Sequence, residues 1–136
     1  MNPAAREWLA KAREDFLAVE KLADDDDLSN VAAFHAQQCA EKSLKAVLEA
    51  SGQKVPRTHD LIRLNGLVQC FFAVQCDEDI LGELSTVYLE ARYPSDLGML
   101  PHGRPSPGDI ARYRQAVKTI FDEIRLFLDE SVSEDD

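Results

Sequence analysis

Residues 29–52 read SNVAAFHAQQCAEKSLKAVLEASG, and the spacing of the apolar residues among them decides the fold class. Ser29 is a candidate N-cap and Gly52 a candidate left-handed terminator, so the segment carries both ends of a helix. Between them, apolar side chains recur at helical intervals, at Phe34, Cys39, Leu44 and Leu48. The segment is therefore predicted to form one long amphipathic helix.

The flanking sequence predicts a long helix before this one and a shorter helix after it. Asn2 and Pro3 are typical of a helix start. The apolar stripe that follows them is Trp8, Ala12, Phe16, Val19 and Ala23. After residue 52, Thr58 is the cap candidate for a third helix, which extends to Phe71 and is weakened by Gly66.

Two more helices complete the prediction. Asp77-Glu78-Asp79 places negative charge at the start of a fourth helix, which Pro94 ends. A loop of about ten residues, Ser95–Pro105, precedes Ser106-Pro107-Gly108-Asp109, which has the pattern of a helix start. No alternating strand pattern competes. We therefore predict an all-α protein, an antiparallel up-and-down bundle of four long helices plus a short fifth helix, with the domain at 1–130 and a disordered acidic tail at 131–136.

Charge is unevenly distributed along the 136 residues. The net charge is −10, but seven of the 25 acidic residues lie in two runs, 24–27 and 134–136. Such runs are typical of solvated segments. Between positions 42 and 63 the sign reverses, with five basic residues against Glu49 and Asp60. This pattern argues against a protein that coats long nucleic acid and favours one local site for a small anion or a short segment.

Targeting signals and cysteines bear on the compartment. No apolar run approaches the ~20 residues of a membrane span, and the N-terminus has no basic region leading into an apolar stretch. The three cysteines form no C-x-x-C pair. A cytoplasmic protein with reduced thiols and no membrane association is expected.

A polar stripe runs along the second helix beside its apolar stripe. Gln38, Glu41, Lys42 and Lys45 recur at intervals of three and four. One interpretation is a solvated face on which Glu41 pairs with Lys45. The other is a polar seam inside a bundle or dimer, offering a carboxylate, an amide and two cations.

Metal and thiol chemistry are weakly indicated. His35 and Cys39 are four residues apart and supply half of a metal site, but no other residues complete a tetrahedral set at familiar spacing. A nucleophile built from Cys39 and His59 is disfavoured because Cys39 lies on the apolar side of its helix. No metal and no cofactor are therefore predicted.

Two helix ends carry groups suited to anions. Arg57 and His59 flank the start of the third helix, where free amides favour a phosphate, although Thr58 and Asp60 there are equally explained as caps. Arg92, near the end of the fourth helix, either satisfies the last carbonyls or presents a guanidinium fork to a phosphate or carboxylate.

Together these stretches resemble the HEPN domain, a presumed nucleotide-binding module of higher eukaryotes and prokaryotes. The matching pieces are Trp8-Leu9-x-Lys-Ala-x-Glu-Asp-Phe-x-x-Ala, Phe34–Ala46, Arg57–Leu61 and Ala91–Pro94, in the order of the family. The resemblance spans roughly residues 5 to 130. It implies an antiparallel helical bundle, usually a homodimer, often encoded beside a small nucleotidyltransferase as a toxin–antitoxin pair or a split nucleotidyl-transfer system.

One departure from the family affects the expected chemistry. Many HEPN proteins are ribonucleases with an Arg followed four to six residues later by a His in a late helix. Here the only histidine after Arg92 is His102, ten positions on, and the final helix has none. No catalytic residue is therefore predicted. By resemblance, the binding residues are Gln38, Glu41, Lys42, Lys45, Arg57, His59, Asp60, Arg92 and Tyr93.

Three functions remain open at the level of sequence. The first is a dimeric module that binds a nucleotide or short RNA and works with a separate nucleotidyltransferase; in it Lys42, Arg57 and Arg92 hold phosphates. Tyr93 stacks on a base or sugar there, while Glu41 and Asp60 orient the cations. The second is a ribonuclease toxin with a non-standard site at His59 or His102. The third is a non-catalytic helical adaptor, in which the polar residues fix the register of a bundle or dimer.

Overall fold

Five α-helices form the part of the protein that the structure describes. The computed structural model describes the backbone of residues 1–92 and 104–135, and the side chains of residues 1–89 and 104–130. The helices are α1 (Pro3–Leu22), α2 (Ser29–Ala50), α3 (Leu61–Val68), α4 (Glu78–Arg92) and α5 (Pro107–Asp135), with a short 3-10 turn at Asp26–Leu28. The described segments contain no strand. The all-α prediction is confirmed, and the short helix is α3.

Local capping explains where three of the helices begin. Asn2 Oδ1 accepts a hydrogen bond from the Ala5 amide at 2.7 Å, which caps α1. At α5, the Ser106 hydroxyl accepts from the Asp109 amide at 3.1 Å, while an Asp109 carboxylate oxygen accepts from the Ser106 amide at 3.0 Å. This reciprocal pair is a capping box. At α4, Asp77 accepts from the Asp79 amide at 2.8 Å.

Two predicted caps are wrong. Ser29 is the first residue of α2 rather than its cap, and Leu28, which precedes it, offers no side-chain hydrogen bond. At α3 the cap is Asp60, whose carboxylate accepts from the Ile62 and Arg63 amides at 3.0 and 3.3 Å. Thr58 instead accepts from the Asp60 amide at 3.2 Å, just outside the helix.

Helix ends agree with the sequence at α2 but not at α3. The chain leaves α2 through Gly52, which has a positive φ of 74° as a left-handed terminator requires. The third helix ends at Val68, short of the predicted Phe71. Beyond it, the Phe71 and Phe72 amides both donate to the Val68 carbonyl, which closes the chain into a turn.

The second helix lies at the centre of the molecule, where it packs against α1, α3, α4 and α5. Asn2 at the start of α1 donates to the Glu49 carbonyl at the end of α2, so these two helices run antiparallel. Phe34 early in α2 packs on Tyr88 late in α4, and Glu20 late in α1 pairs with Arg114 early in α5. These contacts are compatible with an up-and-down bundle.

The acidic run at 24–27 lies at the periphery. Asp24–Asp27 lie at the surface, and Asp25 caps the 3-10 turn by accepting from the Asp27 amide. At the C-terminus α5 extends through Asp135, whereas the sequence predicts a disordered tail at 131–136. The side chains of that segment lie outside the described residues, and the domain limits stay a prediction. Among the described helices, none has the length and apolar content of a bilayer span.

Candidate functional site

Two buried carboxylates organise the polar interior of the bundle. The first is Asp15, on the core-facing side of α1 and only 6% exposed. One of its oxygens lies 2.8 Å from His35 Nδ1, and the other accepts a hydrogen bond from Lys42 Nζ at 2.7 Å. We call these three residues the Asp15 network. It joins α1 to α2 through an ion pair that is largely shielded from solvent.

The second carboxylate is Glu41 of α2, which is 4% exposed. Its Oε2 accepts from Lys45 Nζ at 2.9 Å, and its Oε1 lies 2.8 Å from His59 Nδ1 and 3.1 Å from Gln37 Nε2. The same Gln37 nitrogen donates to the His59 carbonyl at 3.1 Å. We call Gln37, Glu41, Lys45 and His59 the Glu41 network. It holds the segment before α3 against α2 by both side chain and main chain.

The carboxylates determine which nitrogen of each histidine carries a proton. An ionised carboxylate is acceptor-only, so the Nδ1 of His35 and of His59 must be the protonated nitrogen. In the neutral ring, Nε2 then keeps its lone pair. The His59 side chain is 49% exposed and that of His35 is 32% exposed. Each buried carboxylate thus holds one partly exposed imidazole in a defined tautomer.

Aromatic rings connect the two networks. The His59 ring stacks on the buried Tyr88 with centroids 4.1 Å apart, and Tyr88 lies 6.1 Å from Phe34. Phe34 in turn meets His35 edge-on at 5.6 Å. This row leaves His59 little rotational freedom, because its ring is fixed both by stacking and by the hydrogen bond to Glu41.

A second aromatic contact lies behind the Glu41 network. Lys45 Nζ is 5.5 Å from the centre of the Trp8 ring, within the range of a cation–π interaction. Trp8 Nε1 donates to Glu49 at 3.4 Å. The Lys45 ammonium therefore lies between a carboxylate and an indole face, with 8% of its side chain exposed.

The structure brings some of the predicted site residues together. Glu41, Lys45 and His59 share one network, and Gln38 adjoins it by donating to Gln37 Oε1 at 2.7 Å. The buried-seam interpretation therefore describes this stripe better than the solvated-face one, although Glu41 does pair with Lys45 as the latter assumed. Lys42 lies in the separate Asp15 network.

The remaining predicted site residues lie elsewhere. Asp60 caps α3 rather than pairing with a side-chain cation. Arg57 is exposed, and no ion pair involves it within the described part of the chain. Arg92 is the last residue of α4, but its side chain and all of Tyr93 lie outside the described residues.

Sequence reasoning missed Asp15, Gln37 and Tyr88 as members of the site. Asp15 had a visible signal, since it lies three residues after Ala12 and four before Val19, where an apolar residue is expected on the core face. Gln37 precedes the polar stripe by one position and had no separate signal. By sequence, the candidates for the apolar contacts of a dimer are Tyr88, Tyr93, Phe71 and Phe72. Tyr88 is instead buried within its own chain, at 6% exposure.

Two cations lie in the segment just before His59, and neither has a carboxylate partner among the described side chains. Lys54, Val55, Pro56 and Arg57 line a surface cavity of about 460 Å³ in the segment that leads to His59. Among the described side chains, no salt bridge involves Lys54 or Arg57, and both are exposed. Positive charge is thus available here, whereas Lys42 and Lys45 are already neutralised.

The thiol chemistry considered from sequence has no support. Burial, followed by the nearby Asp15 carboxylate, raises the pKa of the Cys39 thiol to about 12. A thiol in that environment is a packing group rather than a nucleophile. Across residues 1–89 and 104–130, no three His, Cys, Asp or Glu side chains are grouped to hold a metal ion.

Comparison with protein-family models identifies the family of the chain. The model of the HEPN domain matches residues 5–130. The chain belongs to the HEPN family. This confirms the resemblance carried by the four sequence stretches and agrees with the all-helical fold.

Solved structures include relatives of this HEPN protein. It is similar to TT1696 from Thermus thermophilus, with 25% identity and a TM-score of 0.67 over 92% of this chain and 98% of that one. It is also similar in fold to ST0689, an archaeal HEPN homologue, with 22% identity and a TM-score of 0.65 over 92% and 97% of the two chains. A comparison with curated proteins finds no match.

Proposed function

We propose that this HEPN protein is a nucleotide-binding module that acts as a homodimer with a separate small nucleotidyltransferase. The observation that carries the proposal is a rigidly held, half-exposed His59 with Lys54 and Arg57 two to five residues before it, neither of which has an ion pair among the described side chains. Free cations beside an aromatic ring suit a ligand with a phosphate and a flat base.

The structure changes which cations the proposal uses for phosphate. Lys42 and Lys45 each neutralise a buried carboxylate at 2.7 and 2.9 Å, so binding a phosphate there would leave a carboxylate without its cation. We therefore assign the phosphate to Arg57, with Lys54 beside it. Lys42, Lys45 and Gln38 hold the networks in place. Arg92 and Tyr93 remain in the proposal as phosphate and base contacts.

The proposed homodimer and the proposed nucleotidyltransferase partner are inferred from membership of the HEPN family. HEPN proteins are often dimeric and often function beside a nucleotidyltransferase, in toxin–antitoxin or split nucleotidyl-transfer pairs. Exposed apolar side chains of this chain include Leu67, Phe71 and Leu126, which are 42, 39 and 51% exposed. They are available for contact with a second chain.

Ligand binding is tested by thermal stability against a panel of nucleotides and short RNAs. At ~100 times its dissociation constant, a ligand adds about 2.7 kcal/mol to the free energy of unfolding. We expect one ligand class to raise the melting temperature of the wild type and to lose that effect in Arg57→Ala and Arg92→Ala. Arg13→Ala is the matched control, because Arg13 is an exposed arginine on α1.

Two results would contradict the proposal. The absence of a shift with every nucleotide and RNA would favour the adaptor function. An Arg57→Ala or Arg92→Ala variant with undiminished binding would remove that residue from the site.

The partner is tested by co-expression with the adjacent reading frame. A product with a Gly-Ser motif and paired aspartates has the features of a metal-dependent nucleotidyltransferase. We expect such a product to co-purify with this protein in a defined ratio. A neighbouring product without these motifs, or one that does not co-purify, would count against the paired system.

A further inference from the structure

His59 has the features of a histidine nucleophile. Its Nδ1 donates to the buried Glu41 carboxylate at 2.8 Å, so in the neutral ring the lone pair is on Nε2. Tyr88 covers one face of the ring at 4.1 Å, and the side chain is nevertheless 49% exposed. No partner of Nε2 is found in the described part of the chain. A ring nitrogen with its lone pair therefore lies on a half-exposed side chain whose ring is fixed by stacking and by a hydrogen bond.

We propose that His59 Nε2 accepts a phosphoryl group from a small donor with a good leaving group, an acyl phosphate or a nucleoside triphosphate. This modification goes beyond the proposed binding function and does not require it. The lone pair of Nε2 forms a bond to phosphorus, and the bond from phosphorus to the leaving oxygen breaks. The electron pair of that bond departs with the carboxylate or the nucleoside diphosphate.

The Glu41 network stabilises the charge that develops on the ring. As the nitrogen–phosphorus bond forms, the imidazole gains positive charge while its Nδ1 proton stays in place. The Glu41 carboxylate faces that proton and balances the charge. Lys45 Nζ binds the other Glu41 oxygen at 2.9 Å, so the carboxylate lies between an ammonium and the His59 ring and is held in place by both. Glu41 is thus a positioning residue.

Positive charge for the phosphoryl oxygens comes from the preceding segment. Arg57 is two residues before His59 and Lys54 is five before it, and both are exposed without an ion pair among the described side chains. A guanidinium can bind two oxygens of the phosphoryl group and stabilise their negative charge in the transition state of the transfer. His35 has the same bond to a carboxylate, but residues 32–38 around it contain no Lys or Arg. The two histidines therefore form a matched pair. Both bond to a buried carboxylate, but only His59 has Lys and Arg residues close to it in the sequence.

The test is to incubate the full-length protein separately with acetyl phosphate and with magnesium ATP, and to measure the intact mass. We expect the mass of one phosphoryl group to be added, in a bond that is labile to acid and stable to base. Peptide mapping of the wild type under mild alkaline conditions should place the group on His59. The two donors distinguish an acyl phosphate source from a nucleotide source.

Variants separate this proposal from a purely structural role for His59. We expect His59→Gln to abolish the modification and the matched His35→Gln to retain it. Arg57→Ala should lower the initial rate on the order of tenfold, while Arg13→Ala leaves it unchanged. Glu41→Gln should also slow the reaction, and Glu41→Asp should restore part of the rate. Melting curves confirm that each variant is folded.

Three results would overturn the proposal. They are the absence of phosphoryl transfer from both donors, transfer that persists in His59→Gln, and modification of His35 at the same rate as His59. Peptide mapping is done on the wild-type protein. The assignment of the phosphoryl group to His59 therefore stands even if a variant fails to fold.

Discussion

Glu41 is the residue on which the candidate site most depends. It accepts hydrogen bonds from Gln37, Lys45 and His59 while only 4% exposed. Removing the carboxylate leaves the Lys45 ammonium buried without its counter-charge. The Glu41 side chain therefore contributes to stability mainly by neutralising the buried Lys45 ammonium.

Replacement of Glu41 by alanine is expected to lower the free energy of unfolding by about 3–5 kcal/mol. The control is Asp122→Ala, which removes an exposed carboxylate paired with Lys118 at 2.7 Å and should cost at most about 1 kcal/mol. Urea denaturation measures both. A loss for Glu41→Ala no larger than that of the control would contradict the buried network.

Single residues also show how far the sequence predicts the site. The spacing of Glu41 and Lys45 is local to one helix, so their shared face could be predicted. The partners of Asp15 are 20 and 27 residues away along the chain, and the partner of Glu41 on the next segment is 18 away. Such pairings depend on how helices pack, which no spacing within one helix specifies.

At the scale of the element, two helix starts set by local side chains are predictable from sequence, whereas one helix end set by packing is not. The Asn2 cap and the Ser106 capping box depend on side chains within three residues of the amides they bind, and both were predicted correctly. The end of α3 was not, because the turn after Val68 accompanies the packing of Phe72 against Phe127 of α5 at 4.5 Å. That contact is invisible in the local sequence.

Two glycines are expected to respond to alanine in opposite directions. Gly66 is exposed within α3, and an added methyl group would meet no atom within 4 Å, so Gly66→Ala should raise the free energy of unfolding by about 0.5–1 kcal/mol. Gly52 has equal space but a φ of 74°, so Gly52→Ala should lower it by about 1 kcal/mol. Urea denaturation of the two variants provides the comparison, and equal signs would refute it.

The α5 capping box should make part of the stability depend on pH. The Ser106 amide, by bonding to the Asp109 carboxylate, lowers the pKa of that group. A lowered pKa means that the stabilisation is present above the ordinary aspartate value and is lost as the pH falls through the lowered one.

Asp109→Asn is accordingly expected to cost about 0.3–1 kcal/mol at neutral pH, and the difference from wild type should vanish in acid below the lowered pKa. Unfolding in urea at both pH values measures the difference. Asp122→Asn on the same helix is the control. A deficit for Asp109→Asn that is the same at both pH values would show that the carboxylate charge is not responsible.

At the scale of the whole molecule, α2 has the largest role. It packs against every other α-helix and carries members of both carboxylate networks. The sequence predicted the all-helical class well, because five separate apolar stripes with caps leave few alternatives. It left open whether the polar stripe of α2 faces solvent or forms a seam inside the bundle, since enclosure requires all the neighbouring helices at once.

The homodimer is also a prediction at this scale. If two chains associate, the melting temperature should rise with protein concentration, and sedimentation should give twice the mass of 15.2 kDa. Leu126→Lys and Phe71→Lys place a charge on exposed apolar positions and should lower the association constant if their surface is the interface. A mass of one chain at all concentrations would rule out the dimer.

The position of Trp8 provides this protein with its own optical reporter. It is the only tryptophan in the chain, and the Lys45 ammonium lies 5.5 Å from its ring. Indole emission responds to a nearby charge and to contact with water, so fluorescence excited at the tryptophan absorption edge reports on the surroundings of Lys45 and Glu49, the two charged residues that Trp8 contacts. Changes that loosen Lys45 from Glu41, whether by substitution or by a ligand at His59, can therefore be followed in real time without a label.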